Sequence, residues 1–276
     1  MHISTIGDVH AIRDRLEVPG MGFLPVNGFV ISGPEPVLVD TGLPGSQAAF
    51  VDALSSVLDL RKLSWIWLTH PDRDHLGALD TVLARAPRAR LVCTAAAAGY
   101  LLLQQQIPED RITVIAPGES LPVGGGRRLL AFRPPLYDNP MTVGFLDSGN
   151  GACVSADCFG AVLPSAESSD AADIARIDPA ELRAGQKFWA GADSPWVQLV
   201  DPVRFAASYE VLSRFQPGLM LSAHLPPAAN QFQHFLGLLA TLPGSSPDPE
   251  AAPDQVPAGD LVELAVDAHL DRMTTE

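Results

Sequence analysis

At 276 residues the chain is long enough for one large domain or two small ones. Hydrophobic residues make up 47% and charged residues 18%, a globular balance that argues against general disorder. The formal net charge of -14 disfavours nucleic acid or an anionic membrane as a partner, since both reward basic surface.

The N-terminal "MHISTIGDVHAIRDRL" carries charges where a signal peptide needs an apolar core. No run approaches the roughly 18 apolar residues of a membrane span. A soluble cytoplasmic protein is expected. Up to about residue 41 the pattern is strand-like, with β-prone runs in "HISTIGDV", "GMGFLPVNGFVIS" and "PVLVDTG". "GSQAAFVDALSSVLDL" has helical spacing, with Ala49, Phe50, Leu54, Val57 and Leu58 on one face. "SWIWLTH" reads as a buried strand, and "HLGALDTVLARAP" as a helix stopped by Pro87. A second strand-helix pair follows in "ARLVCT" and "AAAAGYLLLQQQ".

The β signal returns in "ITVIAPG", "RRLLAFRPPL", "MTVGFLD" and "GACVSAD". "VGGGRR" lacks the Lys-Ser/Thr of a phosphate loop and no helix follows it, so it predicts a hairpin turn. Residues 161 to 200 are irregular, and their length predicts short helices capping a site. "DPVRFAASYEVLSRFQP" predicts a helix from near Asp201, "GLMLSAH" a strand and "PAANQFQHFLGLLATL" a helix. The expected organisation is one domain over 1–242, a Pro-rich acidic linker over 243–259 and an amphipathic helix over 260–276. That helix carries Leu261, Leu264, Ala265 and Leu270 near one stripe, suited to packing on the body or on a second copy in a homodimer. The β-rich then α-rich order of both halves suits an α/β sandwich of two sheets flanked by helices.

"THPDRDH" crowds His70, Asp72, Asp74 and His75 into the turn after the apolar strand, where rigid backbone makes lone pairs converge. Imidazole and carboxylate together suit Zn, Mn or Fe. A solvated surface turn, with Asp74 as a helix N-cap, is the plainer alternative. His2, His10, His234 and His269 have no partner at ligand spacing and read as surface or packing residues. Cys93, Cys153 and Cys158 make an odd number without a C-x-x-C pair, so no disulfide framework is expected, and Cys153 and Cys158 read as small buried fillers. Arg73 is expected to neutralise local charge.

The segment resembles the signature of the metallo-β-lactamase superfamily, Thr-His-x-His-x-Asp-His-x-Gly, preceded by "VLVDTG". Asp72 stands where most members carry a second histidine. An acidic residue there is similar to the flavodiiron proteins and their stand-alone oxygen-binding relatives. "SADCFG" at 155–160 resembles the segment with that branch's bridging aspartate, here Asp157, and "SAHLPPA" at 222–228 resembles the last ligand loop, pointing to His224. The resemblance covers roughly residues 2 to 242 and implies an αββα sandwich with two mixed β-sheets, the metallo-β-lactamase fold. It implies a second metal position of Asp74, His75, His224 and the bridging Asp157. The first would hold His70, Asp72 and Asp157, with either Tyr137 or Asp138 in place of a missing third histidine. Asp40 has a family role in orienting a ligand histidine or its loop.

Three functions follow, in this order. The first is a di-iron protein that binds or reduces O2 or NO; Asp72 adds anionic charge, which favours the higher oxidation state and iron over zinc. With no FMN module expected in the chain, a separate flavodoxin- or rubredoxin-type donor is implied. The second is a hydrolase in which metal-activated water attacks an ester, thioester or phosphoester, with Asp74 as the catalytic proton acceptor. The third is a non-catalytic relative with a degraded site.

Overall fold

Successive residues of the central strands serve different layers, and this period of two builds the architecture. The computed structural model describes residues 1–104, 107–244, 262, 263 and 265–270. One sheet has seven strands in chain order: β1 (His2–Ile6), β2 (Val9–Val18), β3 (Gly22–Ile31), β4 (Val37–Val39), β5 (Trp65–Trp67), β6 (Arg90–Cys93) and β7 (Ile112–Val114). Its first half is antiparallel and β4 to β7 are parallel. The other sheet contains β8 (Ser120–Pro122), β9 (Arg128–Phe132), β10 (Gly144–Asp147), β11 (Ala152–Val154), β12 (Leu219–Leu221) and β13 (Ala228–Ala229), in the order β13-β12-β11-β10-β9-β8. Only the β11–β12 pair is parallel there, with Ala152 opposite Leu219 and Val154 opposite Leu221.

The α-helices with described bounds are α1 (Gln47–Val57), α2 (Arg73–Leu76), α3 (Leu79–Arg85), α4 (Ala95–Gln104), α5 (Ala166–Ser169), α6 (Pro179–Asp193), α7 (Pro202–Ser208), α8 (Glu210–Phe215) and α9 (Phe232–Leu239). Val37, Val39, Trp67 and Val92 of the first sheet pack against Phe145, Val154, Leu219 and Leu221 of the second, forming the inter-sheet core. Their neighbours Leu38, Ile66 and Leu91 face outward onto Phe50, Leu54, Val82 and Leu101 of α1, α3 and α4. On the far side, Leu146, Cys153 and Met220 meet Leu182, Phe205, Leu212 and Phe235 of α6 to α9. This is the αββα metallo-β-lactamase fold expected from the sequence.

Several elements differ in detail. The longest strands, β2 and β3, pair from Val9–Ile31 to Val18–Gly22, although β2 was hidden by its charges. Arg13 within it is buried and donates to the carbonyl of Ala171 (2.7 Å) and to that of Asp170. Ala49 faces solvent, and Val51 joins Phe50 and Leu54 in the buried face of α1. The helix expected over 75–87 is divided at Gly77, where the backbone of Gly42 and Leu43 comes so close that a Cβ would lie 2.1 Å from the Leu43 carbonyl carbon. The 201–217 helix breaks at Tyr209 into α7 and α8, with Asp201 as N-cap accepting from Arg204 N. The helix expected over 227–242 starts only at Phe232, because Ala228–Ala229 pairs with β12.

The 161–200 segment corrects the expectation of short helices alone: α6 runs for 15 residues. Asp178 caps it, accepting from Ala180 N and Glu181 N, with Pro179 in the first turn. The glycine-rich turn is a hairpin between β8 and β9, with positive φ at Gly124, Gly125 and Gly126. Residues 245–259 of the expected linker lie outside the described residues, as do Leu261 and Leu264. Residues 262, 263 and 265–270 are helical, with Ala265 and Val266 buried against Leu16, Leu24, Val162 and Trp189. Among the described residues no helix is long and apolar enough to cross a membrane.

Candidate metal centre

One parallel strand pair from each sheet directs chain toward one region, because the loops after parallel strands leave at their carboxyl ends. The β4–β5 pair delivers Asp40 and the 69–75 turn; the β11–β12 pair delivers Asp157 and His224. Backbone bonds lock the loops together: Asp40 N to Trp67 O (3.0 Å), Thr41 N to His75 O (2.8 Å), Ala223 N to Ala156 O (2.9 Å) and Ala161 N to His224 O (2.9 Å). Asp40, Ala156 and Phe159 have φ of 52°, 52° and 74°. Left-handed backbone at non-glycine residues costs roughly 1–2 kcal/mol each, so the turns around Asp40 and Asp157 are held by their surroundings.

The imidazoles are aimed by partners on their far nitrogens. His75 Nδ1 donates to Asp40 Oδ2 (2.9 Å), which also accepts from the Thr69 hydroxyl (2.8 Å), while Asp40 Oδ1 accepts from Thr69 N (2.8 Å). His224 Nδ1 donates to the carbonyl of Pro25 (2.8 Å), and His70 Nδ1 lies 3.2 Å from Thr69 Oγ1. All three rings therefore present Nε2 inward as a lone-pair donor.

Inward they find carboxylates. Asp157 Oδ2 lies 3.3 Å from His70 Nε2, whereas its Oδ1 lies 3.2 Å from His75 Nε2 and 3.3 Å from His224 Nε2. Asp74 Oδ2 is 3.3 Å from His224 Nε2 and 3.6 Å from His75 Nε2. Yet the three Nε2 atoms, Asp74 Oδ2 and Asp157 Oδ1 are all buried without a hydrogen-bond partner. Buried polar atoms are normally paired, and so many orphans at one point fit the donor set of a cation. Three donor groups fall within 4.8 Å: His70, His75 and Asp157; Asp74, His75 and His224; and His70, Asp72 and Asp138.

The electrostatics express the same crowding. Burial opposes charge on His70, but Asp157 and Asp72 outweigh it and push its pKa up to about 10. His75 is likewise raised, against burial, by Asp74, Asp157 and Asp40, and His224 by Asp157 and Asp74. Burial would raise Asp157, but His70, His224 and His75 hold it well below the usual carboxylate range. Asp72 is pushed up to about 6 by burial, against the pull of His70. The carboxylates thus favour positive charge at the point where the three Nε2 atoms meet.

His70, Asp72, Asp74, His75, Asp157 and His224 are thus brought together, and Asp40 takes up the orienting position expected of it. Of the two alternatives in the 130–140 loop, Asp138 joins His70 and Asp72, while Tyr137 stacks on Trp196 (5.1 Å) and under Arg133. Arg73 does not pair with its flanking aspartates; it reaches Glu263 and Asp267 (2.9 Å) of the terminal helix. His2, His10, His234 and His269 lie elsewhere, on Asp170, Thr5, Gln186 and Ser46. The cysteines are free and buried, with Cys153 and Cys158 in the outer core.

The cap expected from residues 161–200 is supplied by α6, whose individual residues sequence reading did not single out. Trp189 stacks on His224 (4.8 Å) and donates to Asp157 O (3.0 Å). Four residues on, Asp193 is buried, accepts from the Ser194 hydroxyl (2.8 Å) and is pushed up to about 8 by burial and by Asp157 and Asp138. The capping pattern of Asp178, Pro179 and Glu181 was the available signal for this helix.

Residues 21–161, just over half of the chain, match the family model "Metallo-beta-lactamase superfamily". An anaerobic nitric oxide reductase flavorubredoxin of Salmonella arizonae is 28% identical over 177 residues, which is 64% of this chain and 36% of that protein. The chain therefore spans about a third of the length of the curated relatives it matches. Among solved structures, the rubredoxin:oxygen oxidoreductase of Desulfovibrio gigas superposes with TM-score 0.71 at 14% identity, over 99% of this chain and 62% of that one. The flavodiiron core of Synechocystis sp. PCC6803 gives 0.69 at 19% identity over 87% and 60%. A fragment of a putative diflavin flavoprotein from Nostoc sp. PCC 7120 gives 0.68 at 18% identity over 86% and 94%.

Proposed function

The chain belongs to the metallo-β-lactamase superfamily, with its similarity running to the flavodiiron branch, and we propose that it is a non-haem di-iron protein that binds or reduces O2 or NO with electrons from a separate donor. The observation that carries this reading is the split of Asp157: one oxygen faces His70, the other faces His75 and His224, as a carboxylate shared by two cations would. Asp74, His75 and His224 would hold one iron, and His70 and Asp72 the other. When bound, the iron pair supplies electrons and an open coordination position for a diatomic ligand.

The protein's own part is orientation and exclusion of water. Asp40 and the Pro25 carbonyl keep the lone pairs of His75 and His224 inward. Trp189 covers the α6 side through His224 and the Asp157 carbonyl, while Asp72 on the other side is half-buried. Asp72, Asp74 and Asp157 contribute anionic charge, which favours iron in its higher oxidation state over zinc. The test is anaerobic loading with ferrous iron, followed by exposure to O2 or NO. The expected result is a visible absorption change and gas consumption sustained by a chemical reductant. A colourless zinc protein that cleaves generic esters, and loses this with Asp74→Ala, would replace the reading by the hydrolase.

A further inference from the structure

The two halves of the centre differ in chemistry and in access. Asp74, His75 and His224 are all buried, whereas in the other group only His70 is buried, Asp72 is half-buried and Asp138 is exposed. Asp138 is nonetheless a fixed carboxylate. Its Oδ1 accepts from the Thr142 hydroxyl (3.0 Å) and its Oδ2 from Asn139 Nδ2 (2.6 Å). Thr142 is buried, and the next residue, Val143, donates its N–H to Thr69 O (2.8 Å), tying the loop to the strand end that bears His70. Facing this rim is His70 Nε2, fully buried, without a hydrogen-bond partner and 3.6 Å from Asp72 Oδ2.

Building on the two-metal reading above, we infer that Asp138 takes the place of the missing histidine, and that His70, Asp72, Asp138 and Asp157 form an exchangeable hard-cation position beside a closed imidazole-rich one. Carboxylates suit Mn2+ and related hard ions, while imidazoles suit Zn2+ and Fe2+. The preference for zinc over manganese is therefore smallest at the first position, with one imidazole, and largest at the second, with two. The open rim lets the first ion exchange while the second stays. With the three imidazoles neutral, the carboxylates of Asp72, Asp74, Asp138 and Asp157 balance two divalent cations. The centre accordingly accepts two unlike ions.

The test uses the full chain stripped by a chelator, given one equivalent of Zn2+ and then titrated with Mn2+. Manganese binding is read by electron paramagnetic resonance, and zinc retention by elemental analysis after desalting. Manganese should bind without displacing zinc. Asp138→Asn should weaken manganese at least about tenfold, the lower end for disturbed metal sites, and leave zinc in place. Asp138→His should shift the first position the other way, so that a second zinc outcompetes manganese. Manganese uptake unchanged in Asp138→Asn, displacement of zinc by manganese, or no manganese uptake by the zinc-loaded protein would each overturn the inference while leaving the two-metal reading standing. A protein that takes up neither ion would overturn both.

Discussion

Asp40 engages both the amide and the hydroxyl of Thr69 and the Nδ1–H of His75, so one side chain sets the geometry of the ligand turn. Asp40→Asn keeps the size but replaces an acceptor oxygen by a donor facing His75 or Thr69. Metal affinity should fall about 10- to 100-fold with the fold intact, checked by competition with a chromophoric chelator and by circular dichroism. Unaltered affinity would show that His75 needs no such support. At this scale most of the centre was legible: His70, Asp72, Asp74 and His75 are contiguous, and Asp157 and His224 sit in segments with a family likeness. What was not legible acts through backbone or distance. The Pro25 carbonyl that aims His224 has no side-chain signature, and Thr69 gains meaning only beside Asp40. The sequence left Asp138 and Tyr137 equivalent because one step along the chain turns a side chain from His70 and Asp72 to Trp196.

The element that closes the centre is α6, seated through Gly160. A Cβ there would lie 2.6 Å from Trp189 Nε1 and 2.8 Å from His224 Cβ. Gly160→Ala should therefore cost about 1–3 kcal/mol by overpacking and weaken zinc at the Asp74–His75–His224 position, read by thermal melts with and without zinc. A melt identical to the parent in both conditions would mean that Trp189 and His224 can part freely. The terminal helix rests differently. Ala265 and Val266 are buried, while the Arg73 pairs with Glu263 and Asp267 are part-exposed. Arg73→Ala should cost no more than about 1 kcal/mol, and high salt should abolish the difference. Most strands of both sheets were readable from alternation and apolar runs, but not β2, masked by its charges, nor the short β8 and β13. Helix boundaries were not readable either, since Gly77, Tyr209 and the β13 pairing break periodic stretches for tertiary reasons.

For the whole molecule, the buried charges set a pH dependence. A group whose folded pKa is raised contributes stability in full below its unfolded value and loses it as pH rises through the folded one. His70, raised from 6.5 to about 10, and Asp193, raised from 3.8 to about 8, both act in this direction. Metal-free protein should therefore melt at lower temperature as pH climbs from about 7 to about 10. Asp193→Asn should flatten the part of the decline that lies below about pH 8. On the acid side, Asp157, held low, loses its contribution as pH falls. Metal reverses the alkaline trend, because ligand imidazoles must be neutral: loading should release protons, and affinity should rise with pH. Calorimetry in buffers of different ionisation enthalpy reads the proton count.

The measurement that bears most directly on the whole scheme is the metal content of the untagged protein and of Asp157→Ala after loading with ferrous iron. The parent chain should hold a pair of ions, and the variant, deprived of the carboxylate that faces both groups, should lose the pair while remaining folded. A variant that retains the parent's full metal content, or a parent that binds none, would contradict a centre shared between the 70–75 turn, Asp157 and His224.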